Sequence, residues 1–364
     1  MKGLSKLTRS TLGLTGLFLF ILDLALFKSG VISSVTLAYF LMDYIGYRRE
    51  AILNYQASRT LREGMTLSEI RAIERKYLLR DDFNTFEKHA EVRTPLDRYF
   101  YYAKYERVRD LIDFYGPKAG TWLDAGCGFG EDTFYLAKRG EGKIVGLELD
   151  EIKLSEASRK FQKDPPVLRM LLCAGDMLHA PFRPGTFDAI LMTEVLEHLI
   201  NPNEGIQICQ SLLRDGGTLI VSTPSLHNLD YSANPFRILE KVLSLVDDRI
   251  LPPYHGLHAQ FEYTRKRPEP EYGIHYHFSQ RQLAEMVTQH QFEILWEGSF
   301  EMEVVPYLYV EKILRGKIDK IRKVVQPIEA TLERIPVLNR LGQHLLLVAR
   351  KIPVEFGKSV RKWN

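Results

Sequence analysis

Hydrophobic positions along this 364-residue chain follow three different rhythms. The N-terminus carries two long apolar runs, Leu12–Phe27 and Val31–Tyr47, each interrupted by one acidic residue (Asp23, Asp43) and separated by Lys28-Ser29-Gly30. Residues 50 to 115 read as helical and polar-faced, and Thr66-Leu67-Ser68-Glu69 has the form of a capping box opening a helix through Ile70, Ile73 and Tyr77. From Trp122 onward short apolar runs alternate with helix-period segments, the rhythm of a layered α/β domain. In Trp122-Leu123-Asp124-Ala125-Gly126-Cys127-Gly128-Phe129-Gly130 an apolar run ends on a carboxylate and three alternate glycines follow. Helical periodicity resumes at Phe134-Tyr135-Leu136-Ala137. That order predicts a strand, a tight turn and a helix start, where a bare backbone lets a nucleotide-like ligand come close. Ile144-Val145-Gly146-Leu147-Glu148 predicts a second strand ending in an acid about 20 residues on, where a ribose-binding carboxylate belongs.

The rhythm continues through Ala174-Gly175-Asp176-Met177, Phe187–Glu194 and Leu213–Pro224. This ordered set resembles the Rossmann-like S-adenosylmethionine-dependent methyltransferases, strongly over residues 100–226 and weakly over 274–351. Dinucleotide oxidoreductases compete for the glycine loop. Their spacing is G-x-G-x-x-G, whereas Gly126, Gly128 and Gly130 alternate strictly after Asp124. The resemblance implies an α/β, doubly wound, seven-stranded and mostly parallel sheet with ligands at the carboxyl ends of the strands. It implies S-adenosylmethionine as cofactor: Asp124 near the methionine moiety, Gly126 and Gly128 giving backbone approach, Glu148 accepting the ribose hydroxyls, and Asp176 with the Met177 backbone reading adenine. It also implies that the last strand, Gln343–Arg350, enters antiparallel beside Phe292–Glu297.

A second constellation, Thr193-Glu194-Val195-Leu196-Glu197-His198-Leu199, leaves the fourth strand. Glu194, Glu197 and His198 share one face if a helix begins there. The E-x-x-E-H pattern resembles ubiquinone-pathway O-methyltransferases and small-RNA terminal 2′-O-methyltransferases, where it supplies ligands to a divalent metal such as Mg²⁺. A further ligand is then expected downstream, at His275 or His277 before His255 or His258. A metal would lower the pKa of an acceptor hydroxyl. Without one, His198 acts as a base or is structural. Glu194 and His198 are accordingly the candidate catalytic residues.

The expected organisation is a hydrophobic helical hairpin over 1–49, a helical linker over 50–98, the donor-binding core over 99–226 and an insertion over 227–273. The rest of the core with a basic amphipathic helix covers 274–352, and a basic tail covers 353–364. The insertion contains a short amphipathic helix at Pro235–Leu243 and a proline-punctuated loop, and is expected to be a lid or an acceptor-recognition element. Tyr99–Val108 reads as a helix packing its aromatics on the sheet, with a tyrosine near the donor as the sharper alternative. The basic stretch Tyr307–Arg334 reads as a solvated helix face or, more sharply, as a contact for anionic lipid.

Each N-terminal apolar run is near the lower limit for a spanning helix, roughly 17–25 residues. Basic residues at both outer ends predict a hairpin whose ends share the cytoplasmic side. The alternative is a helical cap buried against the protein or a partner, which the two aspartates favour. Cys127, Cys173 and Cys209 form no C-x-x-C pair, so a disulfide framework is not expected and a reducing, cytoplasmic setting is. The formal charge of +3 implies no nucleic-acid partner. These features point to O-methylation of a small or lipid-linked acceptor at the cytoplasmic face of a membrane. The alternatives are an RNA 2′-O-methyltransferase and a non-catalytic S-adenosylmethionine-binding subunit.

Overall fold

The computed structural model describes residues 37–49, 52–53, 66, 68–69, 72, 95–163, 168–227, 234–247, 250, 257–260, 271–274, 276–301, 318–335 and 338–353. Expectations for Leu12–Phe27, His255 and His275 lie outside the described residues. Seven strands make one sheet in the order β3-β2-β1-β4-β5-β9-β8. They are β1 (Ala119–Ala125), β2 (Glu141–Glu148), β3 (Met170–Ala174), β4 (Phe187–Thr193), β5 (Leu213–Pro224), β8 (Phe292–Phe300) and β9 (His344–Lys351). A two-stranded ribbon, β6 (Leu257–Gln260) with β7 (Glu271–Ile274), lies within and just beyond the insertion. Strands β1 to β5 pair in parallel, and β9 runs antiparallel between β5 and β8 as the resemblance implied. The chain winds outward from β1 to β3 and returns to place β4 beside β1. That reversal opens a crevice past the carboxyl ends of β1 and β4.

Both faces of the sheet are covered, so its strands are almost continuously apolar. Successive side chains alternate between two cores. Leu123, Val145, Ile190, Met192, Leu219, Val221, Leu345 and Leu347 face one core, closed by α4 (Pro202–Leu212) and α6 (Gln280–Gln289). Trp122, Ile144, Ala189, Leu191, Ile220, Leu346 and Val348 face the other, closed by α1 (Pro95–Tyr115) and α2 (Glu131–Arg139). The helix α3 (Glu151–Phe161) starts after β2, with Asp150 accepting from the Ile152 and Lys153 amides. Ser279 and Gln282 form the capping box of α6, and Thr66 and Glu69 exchange the same pair of bonds.

In α1, Val108, Leu111 and Ile112 pack on the sheet, while Tyr102 remains 42% exposed. The side chains of Tyr99, Phe100 and Tyr101 lie outside the described ones; among the described residues, aliphatic positions further along the helix, with Tyr115, make its contact with the sheet. The described part of the basic stretch is α7 (Ile318–Leu332), where Lys320, Arg322 and Lys323 are exposed and Arg322 pairs with Glu106 of α1 at 2.6 Å. This is a solvated face tied to its neighbour.

The second apolar run is helical over residues 37–49 and docks on α5 (Pro235–Ser244) of the insertion. Asp43 accepts from Asn234 and Arg237, so its carboxylate has protein partners. No helix among the described residues is long and apolar enough to cross a membrane. For residues 37–49 the docked cap, rather than a spanning half-hairpin, describes the chain.

Candidate active site

Backbone conformation shapes the loop after β1. Gly126, Gly128 and Gly130 all have positive φ, 76°, 52° and 78°, a region that glycine enters without a Cβ penalty. Two of them do different work. A Cβ on Gly126 would stand 2.3 Å from Val195 Cγ2, so this glycine lets the segment after β4 close onto the loop. A Cβ on Gly128 would meet nothing within 4 Å, so this glycine borders open space at the mouth of the crevice.

The end of β2 fastens the loop. The Gly126 and Cys127 amides donate to the Leu147 carbonyl at 2.7 and 3.0 Å, and the Gly128 amide donates to Glu148 Oε2 at 2.9 Å. Gly130 N–H donates to the Cys127 carbonyl. These amides are therefore committed inside the protein. A pyrophosphate-binding loop needs such groups free and a helix start of neutral or positive character. Here the first turn of α2 carries Glu131 and Asp132, both largely buried. Those two are answered by Lys160 and Arg109, so the acidic groups offered at the strand ends are Glu148 and Asp176.

Asp124 is 1% exposed and accepts from the Thr133 hydroxyl at 2.6 Å. Burial, followed by the neighbouring Asp132, pushes its carboxyl up to about 8. Burial likewise pushes Asp132 up to about 6, against the pull of Arg109. Glu148 is half-buried at the lip of β2 and also accepts from the Asp150 amide at 3.0 Å. Asp176 caps a single 3₁₀ turn, accepting from the Leu178 amide at 2.9 Å and facing His179 Nδ1 at 2.9 Å, with Met177 buried behind it. Burial, with Asp124 and Glu148 beyond it, raises the Cys127 thiol well above its ordinary value. It is a small buried group and not a nucleophile.

Beyond β4 the structure corrects the shared-face expectation for E-x-x-E-H. Glu194 sits at φ 55°, and only Leu196–His198 forms a 3₁₀ turn, so no helix stacks the three side chains. The left-handed residue turns the chain at the strand end. Glu194 lies on the α1 side of the sheet: it accepts from Ser222 Oγ at 2.7 Å and faces His344 Nδ1 at 2.8 Å and Lys104 Nζ at 3.6 Å. Glu197 lies on the other side, accepting from Thr223 Oγ1 at 3.3 Å. Ser222 and Thr223 are consecutive in β5 and point to opposite faces, so the two carboxylates are held by partners on opposite sides of the sheet. Among the described residues no group of three or more His, Cys, Asp or Glu side chains could hold a metal. His275 lies outside the described residues, and Mg²⁺ finds no support.

Environment splits the two acids. Burial would raise Glu194, but His344, then Lys104 and Ser222, hold it well below the usual carboxylate range. Burial, then the Glu194 charge, raises Glu197 well above it. His198 Nε2 lies 3.8 Å from Glu197 Oε1, with 22% of its side chain exposed. His344 stacks on Phe300 and faces Glu301 Oε2 at 3.4 Å. Lys104, Ser222, His344 and Glu301 were not among the sequence candidates. Only the position of His344 at the first residue of the last strand could have flagged it.

Residues 123–221 match the family described as Methyltransferase domain. This chain carries a Rossmann-like, S-adenosylmethionine-dependent methyltransferase domain. The domain is 32% identical over 116 residues to a ubiquinone biosynthesis O-methyltransferase of Chromobacterium violaceum, covering 31% of this chain and 49% of that one. It is 27% identical over 147 residues to norajmaline N-methyltransferase of Rauvolfia serpentina, covering 40% and 50%. It is also 27% identical over 144 residues to a ubiquinone/menaquinone biosynthesis C-methyltransferase of Roseobacter denitrificans, covering 39% and 55%. The chain spans about half the length of these curated relatives. A solved S-adenosylmethionine-dependent methyltransferase from Methanosarcina mazei superposes with TM-score 0.46 at 16% identity, covering 67% of this chain and 98% of that one. The matched residues 123–221 run from within β1 to within β5 and include Asp124, the three loop glycines, Glu148, Asp176 and the segment Glu194–His198.

Proposed function

We propose that this chain transfers a methyl group from S-adenosylmethionine to an oxygen of a small or lipid-linked acceptor at the cytoplasmic face of a membrane. The observation that carries the donor assignment is the loop itself: open space at Gly128 and amides committed within the protein, with Glu148 at its edge, which together fit an adenosyl ligand and disfavour a pyrophosphate. S-adenosylmethionine, when bound, supplies a methyl group on a positively charged sulfur. Glu148 would offer acceptor oxygens to the ribose hydroxyls, Asp176 with the Met177 backbone would read the adenine, and Asp124 would hold the methionine portion. Such transfer is an in-line displacement, so holding donor and acceptor in register is much of the catalysis.

Glu194 is ionised and locked between His344, Lys104 and Ser222, which disfavours it as a proton acceptor. His198, partly exposed beside Glu197, is the group that takes the acceptor's proton. The similarity to an O-methyltransferase supports oxygen as the accepting atom, and the apolar N-terminus supports a lipid-linked acceptor. Incubating the protein with methyl-labelled donor and separate lipid and water-soluble extracts tests this. Label is expected in the lipid fraction and is expected to be lost with His198→Ala. Donor binding without label in any fraction would contradict methyl transfer and leave a binding subunit.

A further inference from the structure

The helix over 37–49 and α5 pack with their polarity reversed. On α5 the side facing the protein is polar: Asn234 donates to the Phe40 carbonyl, Arg237 and Asp43 pair at 3.1 Å, Glu240 binds Tyr44 and Arg48, and Lys241 Nζ donates to the Leu226 carbonyl at 2.5 Å. The outward side carries Ile238, Leu239, Val242, Leu243 and Val246, between 38% and 85% exposed. The partner helix repeats the pattern. Phe40, Asp43, Tyr44, Tyr47 and Arg48 face inward, whereas Leu37, Leu41, Met42 and Ile45 are 42% to 74% exposed. Two helices in water bury their apolar stripes and expose their charges. Here the carboxylates and guanidinium groups meet in the seam, with Glu240 buried and Asp43, Arg48 and Arg237 partly exposed, and two apolar stripes face out.

We propose that this helix pair is a docking platform for the surface of an anionic phospholipid bilayer, its outer stripes lying at the headgroup–acyl boundary. Three observations favour lipid over another occupant. Residues 1–49 hold six basic residues against two acidic ones, in a chain of net charge +3 overall. That charge attracts anionic headgroups and repels a second copy of itself. The apolar run Leu12–Phe27, preceded by Lys2, Lys6 and Arg9, is continuous in sequence with the platform. Finally, Lys241 ties α5 to the chain two residues beyond β5, so the platform stands at the ligand end of the sheet, where an acceptor held in a bilayer has to arrive. The inference rests on the membrane-face part of the proposed function and not on methyl transfer.

The test uses the full chain and vesicles of phosphatidylcholine with phosphatidylglycerol. Wild type is expected to sediment with them, and Met42→Ser/Leu239→Ser/Leu243→Ser to partition roughly tenfold less or weaker, with unchanged donor-analogue affinity showing that the domain is folded. A bimane label on Leu243→Cys, in a Cys173→Ser background, is expected to be quenched by doxyl-labelled lipid. The same label on Leu168→Cys, remote in sequence and 90% exposed, is expected not to be. Wild-type sedimentation without quenching at position 243 would assign binding to residues upstream and overturn the platform. So would an unchanged partition of the triple variant, or a change in oligomeric mass in place of vesicle binding. Any of these would leave donor binding, and hence the methyl-transfer proposal, standing.

Discussion

At the scale of single residues, Gly126 and Gly128 separate folding from binding. Gly128→Ala adds a methyl into open space, so its cost to the fold is the left-handed conformation, about 1–2 kcal/mol. The same methyl occupies the approach of the donor. Thermal denaturation is expected to show a modest loss and equilibrium dialysis a much larger loss of donor affinity. Gly126→Val instead strikes Val195 within the protein, and is expected to lower stability as well as binding. Asp124 gives a pH signature. Its carboxyl stands at about 8 when folded, against 3.8 as its ordinary value, so the folded state holds a proton that the unfolded chain releases. Its stabilising contribution is present below pH 4 and is lost as pH rises to 8; Asp132 acts in the same direction with an upper limit near 6. Denaturant unfolding of the ligand-free protein is expected to show stability falling across that window, and Asp124→Asn is expected to flatten the fall. A slope that Asp124→Asn leaves unchanged would assign it elsewhere.

At the scale of elements, the segment after β4 decides between chemistries. The opposed directions of Glu194 and Glu197 predict that exhaustive chelation leaves activity intact, whereas His198→Ala costs roughly 10²–10⁴-fold in kcat at unchanged donor affinity. Loss of activity on chelation, restored by Mg²⁺, would contradict the geometry. The docked N-terminal helix gives a second prediction at this scale. Glu240, with only 2% of its side chain exposed, is the main anchor for Arg48 and Tyr44. Glu240→Ala is expected to speed amide exchange across 37–49 while exchange in β1 and β4 stays slow. Uniform acceleration throughout would mean that the helix is integral to the core.

At the scale of the molecule, the sheet and its donor end were legible because their signals are local. Alternating apolar runs, a carboxylate at or just past the ends of β1 to β4 and glycines at every second position of the loop each report on a few consecutive residues. The acceptor end was not. Lys104, Ser222, Glu194 and His344 come from four distant segments, and their meeting follows from strand order and pleat. The left-handed turn at Glu194 had no signal either, since glutamate seldom adopts it. A helix was expected there because E-x-x-E-H has helical spacing. In the second N-terminal run Asp43, costly in a bilayer, did favour the docked cap, but its partners Arg237 and Asn234 stand some 190 residues away and no local signal names them. On the proposed function, the β1 loop and Glu148 bind S-adenosylmethionine. Calorimetric titration of the full chain with S-adenosylhomocysteine tests it most directly. One-to-one binding by the wild type is predicted, with affinity falling by roughly 10²-fold or more in Glu148→Ala, whose carboxylate no longer meets the ribose hydroxyls. Near-native affinity in Glu148→Ala, or no binding by the wild type, would contradict the account.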